Sequence, residues 1–415
     1  MFNSELLNAV RDRFAHIDEC PYQGSRAFFE NAGGSLTLKS VVETSTFYAG
    51  IPDNQGRDNL ASHELVRVIN NARQDMMTFL GASEGQVFMG ESGTELLFRL
   101  VRAAVMGSPQ GGEVLGSTLE HPATVSASKR WSAVAGKTYV SIPHNNTTAT
   151  VTAEDYRQYV SADTRVATII QTSPVSGMGV DVKACVDVIR EVSPDCLIIV
   201  DGIQHAAHGA VSVDDYRIDG FAVAAYKVFS RHNYGAAWVS PRLESLPHDK
   251  LDGTADTFWE LGTRDTGAFA ALTDVVEYLD WLGTNFTDSA DRRTRLLAAA
   301  QAMRAQEAYL VDLMINGIDE QRGLRKMSEV FVIGGHDNDH REGLVSLAVE
   351  GVPSAEVVAK LNDRGVRTHV RKNDYFSGNI LTPLSMDTCV RVSMCHYNSR
   401  EEVLRFLNAM EEIIA

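Results

Sequence analysis

The amino-acid sequence predicts an α/β protein with a mostly parallel central sheet, helices on both faces of that sheet, and a smaller α+β domain at the C-terminal end. Between about residues 86 and 240, short apolar runs rich in β-branched residues alternate with helical or polar stretches. After about residue 287, a long stretch with apolar residues at helical spacing replaces this alternation. A chain of 415 residues is long enough for a large domain and a smaller one.

The elements follow from the apolar pattern in chain order. Residues 1–16 mix charged and apolar side chains and predict an amphipathic helix. The runs that we predict as strands of the large sheet are residues 86–89, 113–118, 137–142, 166–171, 197–200, 220–225 and 236–240. Residues 292–318 predict a connecting helix. The C-terminal elements that we expect are strands at residues 329–333, 344–349 and 390–394 and helices at residues 354–362 and 401–414.

These elements divide the chain into three parts. We expect residues 1–20 to form an N-terminal helix that packs with the small domain. Residues 21–285 are the predicted large domain, and residues 286–415 are the predicted small domain. Ligands of parallel α/β sheets bind at the carboxyl ends of the strands, so functional residues are expected there.

Composition excludes several classes of partner. The net charge of -16 disfavours binding to nucleic acid and to anionic membrane surfaces. No segment resembles a signal peptide or stays apolar for the ~20 residues of a membrane helix. The 5 cysteines are scattered, odd in number and without a CxxC pair, which argues against a disulfide framework and favours a reducing cytoplasm.

A carboxylate and a lysine follow two consecutive predicted strands. Asp201 comes directly after residues 197–200, and Lys227 follows the apolar run 220–225. Asp201 could simply be a turn or helix-cap residue. Lys227 could simply be a lysine at a strand edge whose ammonium group reaches water. Burial would lower the pKa of the lysine and make its neutral amine a nucleophile. Pyridoxal 5′-phosphate (PLP) needs an amine for its aldehyde and a carboxylate for its pyridine nitrogen, so the pair predicts a PLP site.

Other polar residues could complete this site. Gln204 lies three residues after Asp201 and could reach the phenolic oxygen of PLP, or could be an exposed amide at a helix start. Gly93 and Thr94 lie between a strand and a helix, where free amides and a hydroxyl suit a phosphate, although the same pattern is an ordinary capping signal. His121 could stack on the pyridine ring, although a lone histidine at a strand end is more often structural.

Together these residues resemble the fold-type I PLP enzymes of aminotransferase class V, and within that class the cysteine-desulfurase-like proteins. The resemblance extends nearly from end to end. Besides the segments above, it covers FFENAGGS at residues 28–35, ELGTR at residues 260–264 and RVSMCHYNSREEV at residues 391–403. It implies the fold of the fold-type I PLP-dependent transferases.

The resemblance also implies how the cofactor is held. Lys227 would hold the PLP aldehyde as a Schiff base and act as the catalytic base, and Asp201 would pair with the pyridinium nitrogen. The other residues implied in cofactor binding are Gln204 at the phenolic oxygen, His121 stacked on the ring, Gly93 and Thr94 at the phosphate, and Thr263 at a phosphate across a dimer interface. The implied enzyme is therefore a homodimer.

For the substrate, the resemblance implies two residues. Asn31 would contact it, and Arg391 would receive its carboxylate, a role that suits the bidentate fork of a guanidinium. The expected partner is thus a small amino acid or amine.

The chain departs from the family pattern on the substrate side. Cysteine desulfurases carry a persulfide-forming cysteine on a loop before the arginine, whereas residues 371–378 contain none. Ala224 stands where a phosphate-binding serine is common, and Tyr226 replaces a histidine. Pro174 replaces an asparagine and offers neither a side-chain donor nor an amide hydrogen. These changes leave the cofactor prediction intact and open the question of the reaction.

We rank the possible functions on these grounds. Transamination of an amino acid or small amine is the leading hypothesis, followed by a β-elimination lyase acting on C–S bonds and by an epimerase. Cysteine desulfurase activity through Cys389 or Cys395 ranks below these, and a non-catalytic binding protein with the same fold ranks last. A nucleotide-binding protein is disfavoured because no GxxxxGK[ST] or GxGxxG motif follows a strand.

Overall fold

The computed structural model describes residues 1–415. Its strands are β1 (Glu19–Cys20), β2 (Gly24–Ser25), β3 (Ala27–Phe28), β4 (Gln86–Gly90), β5 (Glu113–Ser117), β6 (Thr138–Ile142), β7 (Thr164–Ile170), β8 (Leu197–Asp201), β9 (Gly220–Ala224), β10 (Gly235–Val239), β11 (Gly317–Ile318), β12 (Gln321–Arg322), β13 (Val330–Val332), β14 (Leu344–Val349), β15 (Val366–Arg367), β16 (His369–Lys372) and β17 (Thr388–Ser393).

Its α-helices are α1 (Ser4–Arg11), α2 (Lys39–Ala49), α3 (Leu60–Leu80), α4 (Gly93–Gly107), α5 (Pro122–Val134), α6 (Ala153–Tyr159), α7 (Val182–Val192), α8 (Val213–Tyr216), α9 (Pro241–Glu244), α10 (Thr266–Gly283), α11 (Arg292–Asn316), α12 (Ser354–Asp363), α13 (Gly378–Leu381) and α14 (Arg400–Ile414). None of these helices combines the length and the apolar character needed to cross a membrane.

The large sheet has seven strands in the order β4, β10, β9, β8, β7, β5, β6. Strands β5 to β9 pair in parallel, whereas β10 is antiparallel to both of its neighbours. One apolar core lies beneath α4 and α5 and another beneath α7 and α10, so both faces are covered. The predicted mostly parallel α/β sheet is confirmed, and each predicted strand overlaps an observed one.

Strands β8 and β9 place the two key side chains next to each other. Every residue of both strands is buried, which explains their uninterrupted apolar sequences. The strands are adjacent and parallel, with Asp201 paired in register to Ala222. A short 3-10 turn, Ala225–Lys227, follows β9 and carries Lys227 to the same edge as Asp201.

A second, antiparallel sheet forms the C-terminal part in the order β13, β14, β17, β16. Strand β16 was not predicted, because His369, Arg371 and Lys372 leave it without apolar alternation. Ala27 and Phe29 pack in the core of this part, and β3 pairs with β15. Residues 27–29 thus pack with the C-terminal part, although the predicted boundaries assign them to the large domain. The boundaries themselves stay a prediction.

An aromatic cluster around Phe14 joins the N-terminal segment to both parts. The Phe14 ring centroid lies 5.7 Å from that of Phe229 and 5.4 Å from that of Tyr278, both before residue 285. It lies 4.5 Å from the ring of Tyr397 in the C-terminal part. In addition, Arg11 donates a hydrogen bond to the carbonyl of Tyr397 at 2.7 Å. Residues 1–20 therefore contact the large part as well as the small one.

We predict that Phe14→Ala lowers the free energy of unfolding by about 3–5 kcal/mol, because it leaves a cavity among closely packed rings. Urea unfolding followed by tryptophan fluorescence measures the change. Phe47→Ala is the matched control, since Phe47 is 65% exposed, and it should change stability by less than about 0.5 kcal/mol. Equal effects of the two substitutions would contradict the central position of Phe14 in the aromatic cluster.

Candidate active site

A cavity of about 490 Å³ lies at the carboxyl ends of the parallel strands. Its lining residues are Ser92, Gly93, Thr94, His121, Ile170, Thr172, Pro174, Asp201, Ile203, Gln204, Ala224, Tyr226 and Lys227. Six of the predicted cofactor-binding residues are among them. The cavity has the size of a small-molecule site, and its lining combines apolar side chains with converging polar groups.

Lys227 is the amine of this cavity. Its Nζ donates to the carbonyl of Ala32 at 2.7 Å and lies 3.0 Å from the side-chain amide of Gln204. Burial and the positive charges of Arg391 and Arg371 together lower the pKa of Lys227 to about 7, while the charge of Asp201 opposes them. A substantial fraction of the amine is therefore neutral near pH 7, as a nucleophile requires.

Asp201 shares the cavity as a buried carboxylate. Its Oδ1 accepts a hydrogen bond from the amide of Ile203 at 3.1 Å, and Thr124 Oγ1 donates to Oδ2 at 3.4 Å. Burial raises the pKa of Asp201 to about 6, although these bonds and the charge of Lys227 act against the increase. A cationic ligand atom beside Asp201 would lower this pKa and hold the carboxylate ionised.

Glu120 is a second buried carboxyl group near Asp201. One of its oxygens accepts hydrogen bonds from the amide of Ile170 at 2.9 Å and from Ser117 Oγ at 3.2 Å, whereas the other has no partner. Burial raises the pKa of Glu120 to about 8, and the charge of Asp201 contributes. Glu120 is therefore mostly protonated at pH 7, so that Asp201 carries the negative charge of this region.

The N-terminus of α4 supplies the anion-binding element. Ser92 caps the helix by accepting from the amide of Glu95 at 3.2 Å, which leaves the amides of Gly93 and Thr94 free at the first turn. A Cβ atom at Gly93 would lie 2.3 Å from Cδ1 of Ile203, so a side chain there would displace the end of the Ile203 side chain. Glycine thus lets the helix end approach Ile203 and the cavity closely.

His121 forms part of the cavity wall as the N-cap of α5. Its Nδ1 accepts from the amide of Ala123 at 3.2 Å, so the proton of the neutral ring is on Nε2. Burial lowers the pKa of His121 to about 4, and the charges of Lys227 and Arg371 contribute. The imidazole is therefore an uncharged flat ring, the form suited to stacking on an aromatic ligand.

Arg391 lies behind Pro174 at the edge of the cavity. The side chain of Arg391 is buried, and its Nη1 donates to the carbonyl of Pro174 at 3.0 Å. Its Nε has no hydrogen-bond partner. Burial lowers the pKa of Arg391 to about 10, and the neighbouring Arg371 contributes. A buried, incompletely paired guanidinium is a suitable receptor for a carboxylate.

Two predicted residues do not line the cavity. The Asn31 side chain is buried and its amide donates to the carbonyl of Ser393 at 2.8 Å, while its oxygen accepts from Tyr397. These bonds occupy its polar atoms and favour a structural role. Thr263 is exposed and lines a separate surface groove together with Tyr48 and Asn54. A role of Thr263 at the cavity would therefore need a second copy of the chain.

Sequence reasoning missed several groups around the cavity. Glu120 precedes the predicted His121, but nothing in the sequence marked it as buried. Arg371 lies on the unpredicted strand β16. His208 contacts Gln204, with 3.1 Å between their Nε2 atoms, and its Nδ1 lies 2.8 Å from Oε2 of Glu307. The four-residue spacing of Gln204 and His208, one helical turn, is the only sequence signal for this contact.

The residues present fit PLP. A free helix N-terminus suits its phosphate, a buried carboxylate suits its ring nitrogen, and a partly neutral amine suits its aldehyde. Ala224 and Pro174, the departures noted in the sequence, also line the cavity, so the differences from the family pattern concern the space that a ligand would enter.

The sequence model of the family described as aminotransferase class-V matches residues 27–406 of the chain. The chain is 27% identical over 427 residues to the cysteine desulfurase-like protein ustD of Aspergillus flavus, with 98% of the chain and 90% of that protein covered. It is 26% identical over 428 residues to the aminotransferase-like protein FGM3 of Gibberella zeae, with 99% of both covered. It is 22% identical to a probable cysteine desulfurase of Vibrio cholerae, with 98% of both covered.

Solved structures share the fold. The apo cysteine desulfurase of Thermococcus onnurineus superposes with a TM-score of 0.82 at 21% identity, over 100% of this chain and 98% of that one. The cysteine desulfurase CsdA of Escherichia coli gives a TM-score of 0.79 at 19% identity, over 99% of this chain and 98% of that one. At these identities the likeness concerns the fold alone.

We predict that Lys227 of the cofactor-free protein reacts with trinitrobenzenesulfonate with a pH midpoint near 7. Only the neutral amine reacts, and it is lost as the pH falls through the pKa. Arg391→Gln should raise the midpoint, because it removes a positive charge that lowers this pKa. The modified peptide is quantified by mass spectrometry, with the exposed Lys183 of helix α7 as the internal control. A midpoint for Lys227 near the ordinary lysine value of about 10.4 would contradict the assigned environment.

Proposed function

The chain belongs to the aminotransferase class-V family and is a PLP-dependent enzyme, and we propose that it transaminates an amino acid or a small amine in the cavity around Lys227. The family resemblance inferred from the sequence motifs is confirmed by the match over residues 27–406. The relatives carry names of both the cysteine desulfurase-like and the aminotransferase-like kind. The reaction therefore has to be argued from the residues of this chain.

We propose that Lys227 holds PLP as a Schiff base and that Asp201 pairs with its ring nitrogen. When bound, PLP supplies an electron sink that acidifies the Cα–H of an amino substrate. The other residues proposed to hold it are Gln204 at the phenolic oxygen, His121 on the ring face, and Gly93 and Thr94 at the phosphate. The negative charge of the ionised Asp201 carboxylate stabilises the protonated form of the ring nitrogen.

The observation that carries the proposal is that the cavity combines this amine and carboxylate with no thiol. All five cysteines lie outside its lining. Cys389 and Cys395 are buried, and burial raises the pKa of Cys389 to about 11 and that of Cys395 well above its ordinary value. Neither has the exposed, low-pKa character of a nucleophilic cysteine, which argues against desulfurase chemistry.

Proton transfer by one amine favours transamination over epimerisation. Lys227 Nζ, with a pKa near 7, could both accept and donate a proton on one side of the bound substrate. Epimerisation by two groups also needs a proton donor on the opposite side of the substrate. His121, which we propose covers that side, is held neutral and uses Nδ1 for its own helix cap.

Arg391 is the proposed receptor of the substrate carboxylate. Its guanidinium is buried and its Nε has no partner in the chain, so a bound carboxylate would supply the missing acceptor. Asn31 remains a candidate from the family pattern, although its side-chain bonds favour a role in holding the segment next to Ala32. Substrate selection is therefore assigned mainly to Arg391.

We further propose a homodimer in which Thr263 of each copy serves the other copy's site. Thr263 is exposed, and the groove that it lines is separate from the cavity of its own chain. A reducing compartment such as the cytoplasm is proposed from the scattered cysteines, all of which are free.

We predict that the PLP-loaded protein, mixed with a panel of amino acids and no acceptor, releases one equivalent of keto acid per site and loses its visible absorption band. Transamination stops after one half-reaction without an acceptor, so the yield is stoichiometric. Cys389→Ser and Cys395→Ser should leave this yield unchanged. Continuous release of keto acid together with ammonia would instead indicate a β-elimination lyase, and inversion of the amino acid without keto acid would indicate an epimerase.

We predict that Arg391→Gln lowers kcat/KM for an amino-acid substrate by about 10²-fold, because one charge-assisted bidentate contact is lost. Steady-state kinetics with an amino acid and with the corresponding decarboxylated amine separate this effect from a general loss of structure. Arg364→Gln, at the half-exposed end of α12, is the control and should change kcat/KM less than about twofold. Equal losses for the amino acid and the amine would contradict the carboxylate-binding role.

A further inference from the structure

A line of buried polar groups extends from Lys227 into the protein interior. Gln204 Oε1 lies 3.0 Å from Lys227 Nζ, and Gln204 Nε2 lies 3.1 Å from His208 Nε2. His208 Nδ1 in turn lies 2.8 Å from Oε2 of Glu307 on helix α11. The pair of His208 and Glu307 is remote from the cavity lining, yet it touches the amide that faces the amine.

The pair is sealed from solvent. The side chains of His208 and Glu307 are 5% and 0% exposed. Gly343 packs directly on the carboxylate, since a Cβ atom there would lie 2.7 Å from Glu307 Oε2. Burial alone would lower the pKa of His208, but the charge and hydrogen bond of Glu307 raise it above its ordinary value. The contact with Glu307 therefore outweighs the effect of burial on the protonation of His208.

Burial favours a pair without net charge, because an unpaired charge in the interior is costly. There are two uncharged arrangements: an imidazolium beside a carboxylate, or a neutral imidazole beside a protonated Glu307. In the first, Nδ1 donates to Glu307 and Nε2 of His208 carries the second ring proton. In the second, the carboxyl proton on Oε2 is donated to Nδ1, so the one ring proton is on Nε2. His208 Nε2 is therefore a hydrogen-bond donor toward Gln204 in either arrangement.

A donor at this position dictates the orientation of the Gln204 amide. Only the amide oxygen can accept from His208 Nε2, so the amide nitrogen must face the cavity. A half-turn of the amide exchanges its oxygen and nitrogen at nearly unchanged distances, so both contacts persist. The neutral amine of Lys227 can accept from the amide nitrogen in the cofactor-free protein, and the phenolic oxygen of PLP is the acceptor proposed for the loaded one.

We propose that His208 and Glu307 form a positioning pair that holds the amide nitrogen of Gln204 toward the cofactor's phenolic oxygen. The inference rests on the proposed PLP site and adds to it two residues that do not touch the cofactor. It also gives helix α11 a link to the site, because Glu307 is in the middle of that helix.

The second histidine of the same turn does not share this arrangement. His205 Nδ1 lies 2.7 Å from Glu342 and 3.4 Å from Oγ1 of the cavity residue Thr172, but its Nε2 faces the carbonyl of Ala210 at 3.2 Å and not Gln204. The titratable groups around the positioning pair are Glu342, Arg304, His396 and the thiol of Cys395. These groups act on the positioning pair from other elements. The test therefore changes only His208 or Gln204 and leaves these four groups in place.

The test is the pH midpoint of the visible absorption band of PLP-loaded protein. A donor at the phenolic oxygen stabilises its anionic form and lowers the pH at which the lysine–cofactor linkage loses its proton. His208→Asn keeps a donor toward Glu307 and removes the contact with Gln204, so we expect the midpoint to rise by about one pH unit. Gln204→Ala should cause a similar rise, and the double variant should add nothing further.

Asp75→Asn is the control for loss of a buried ionic contact away from the site. Asp75 pairs with Arg292 at the start of the same helix α11, and its change should leave the midpoint unaltered. An unshifted midpoint in His208→Asn with an intact visible band, or additive shifts in the double variant, would overturn the positioning role. A wild-type protein without any visible band after PLP addition would instead refute the proposed cofactor site.

A measurement on the wild-type protein covers the case in which His208→Asn does not fold. Nitrogen-15 spectra of histidine-labelled, PLP-loaded protein report which imidazole nitrogens carry protons. The proposal requires a proton on His208 Nε2, with the signal assigned by its loss in Gln204→Ala or by its contact with the Gln204 amide. A proton-free Nε2 at pH 7 would overturn it.

Discussion

The desolvated amine of Lys227 is the constraint on which the rest of the site depends. Strand β9 is buried along its whole length, and the turn after it brings the lysine into the cavity. An ammonium there is disfavoured by burial and by two nearby guanidinium groups, those of Arg391 and Arg371. The protein thus maintains at neutral pH the uncharged amine that chemistry on an aldehyde requires.

The surrounding charges are arranged to suit that amine. Asp201 is the ionisable carboxyl group next to it, while Glu120 behind it is kept protonated by burial. His121 is kept neutral by burial and by the positive charges of Lys227 and Arg371. One face of the cavity therefore offers a flat uncharged ring, one end offers a carboxylate, and the free amides of α4 supply a positive potential for a phosphate. This division matches the three parts of PLP.

Much of this could be predicted from the sequence. The strands of the large sheet are continuous apolar runs with polar residues at their ends. Asp201 and Lys227 could therefore be assigned from the sequence alone to the edge where the parallel strands end. Contacts between residues far apart in the sequence were harder to predict. Strand β16 lacks apolar alternation, and Phe29 joins the C-terminal core through a two-residue strand too short to recognise. His208 meets Glu307 only because the fold brings α11, about 100 residues later in the chain, against the segment after β8, which no local pattern encodes.

The central claim is that PLP is bound through Lys227 and no other lysine. Borohydride reduction of the PLP-loaded protein, followed by peptide mass spectrometry, tests this most directly, because reduction fixes the cofactor to the amine that holds it. The account predicts one phosphopyridoxyl group per chain, on the peptide that contains Lys227. A label on another lysine, or a protein that retains no label, would contradict it.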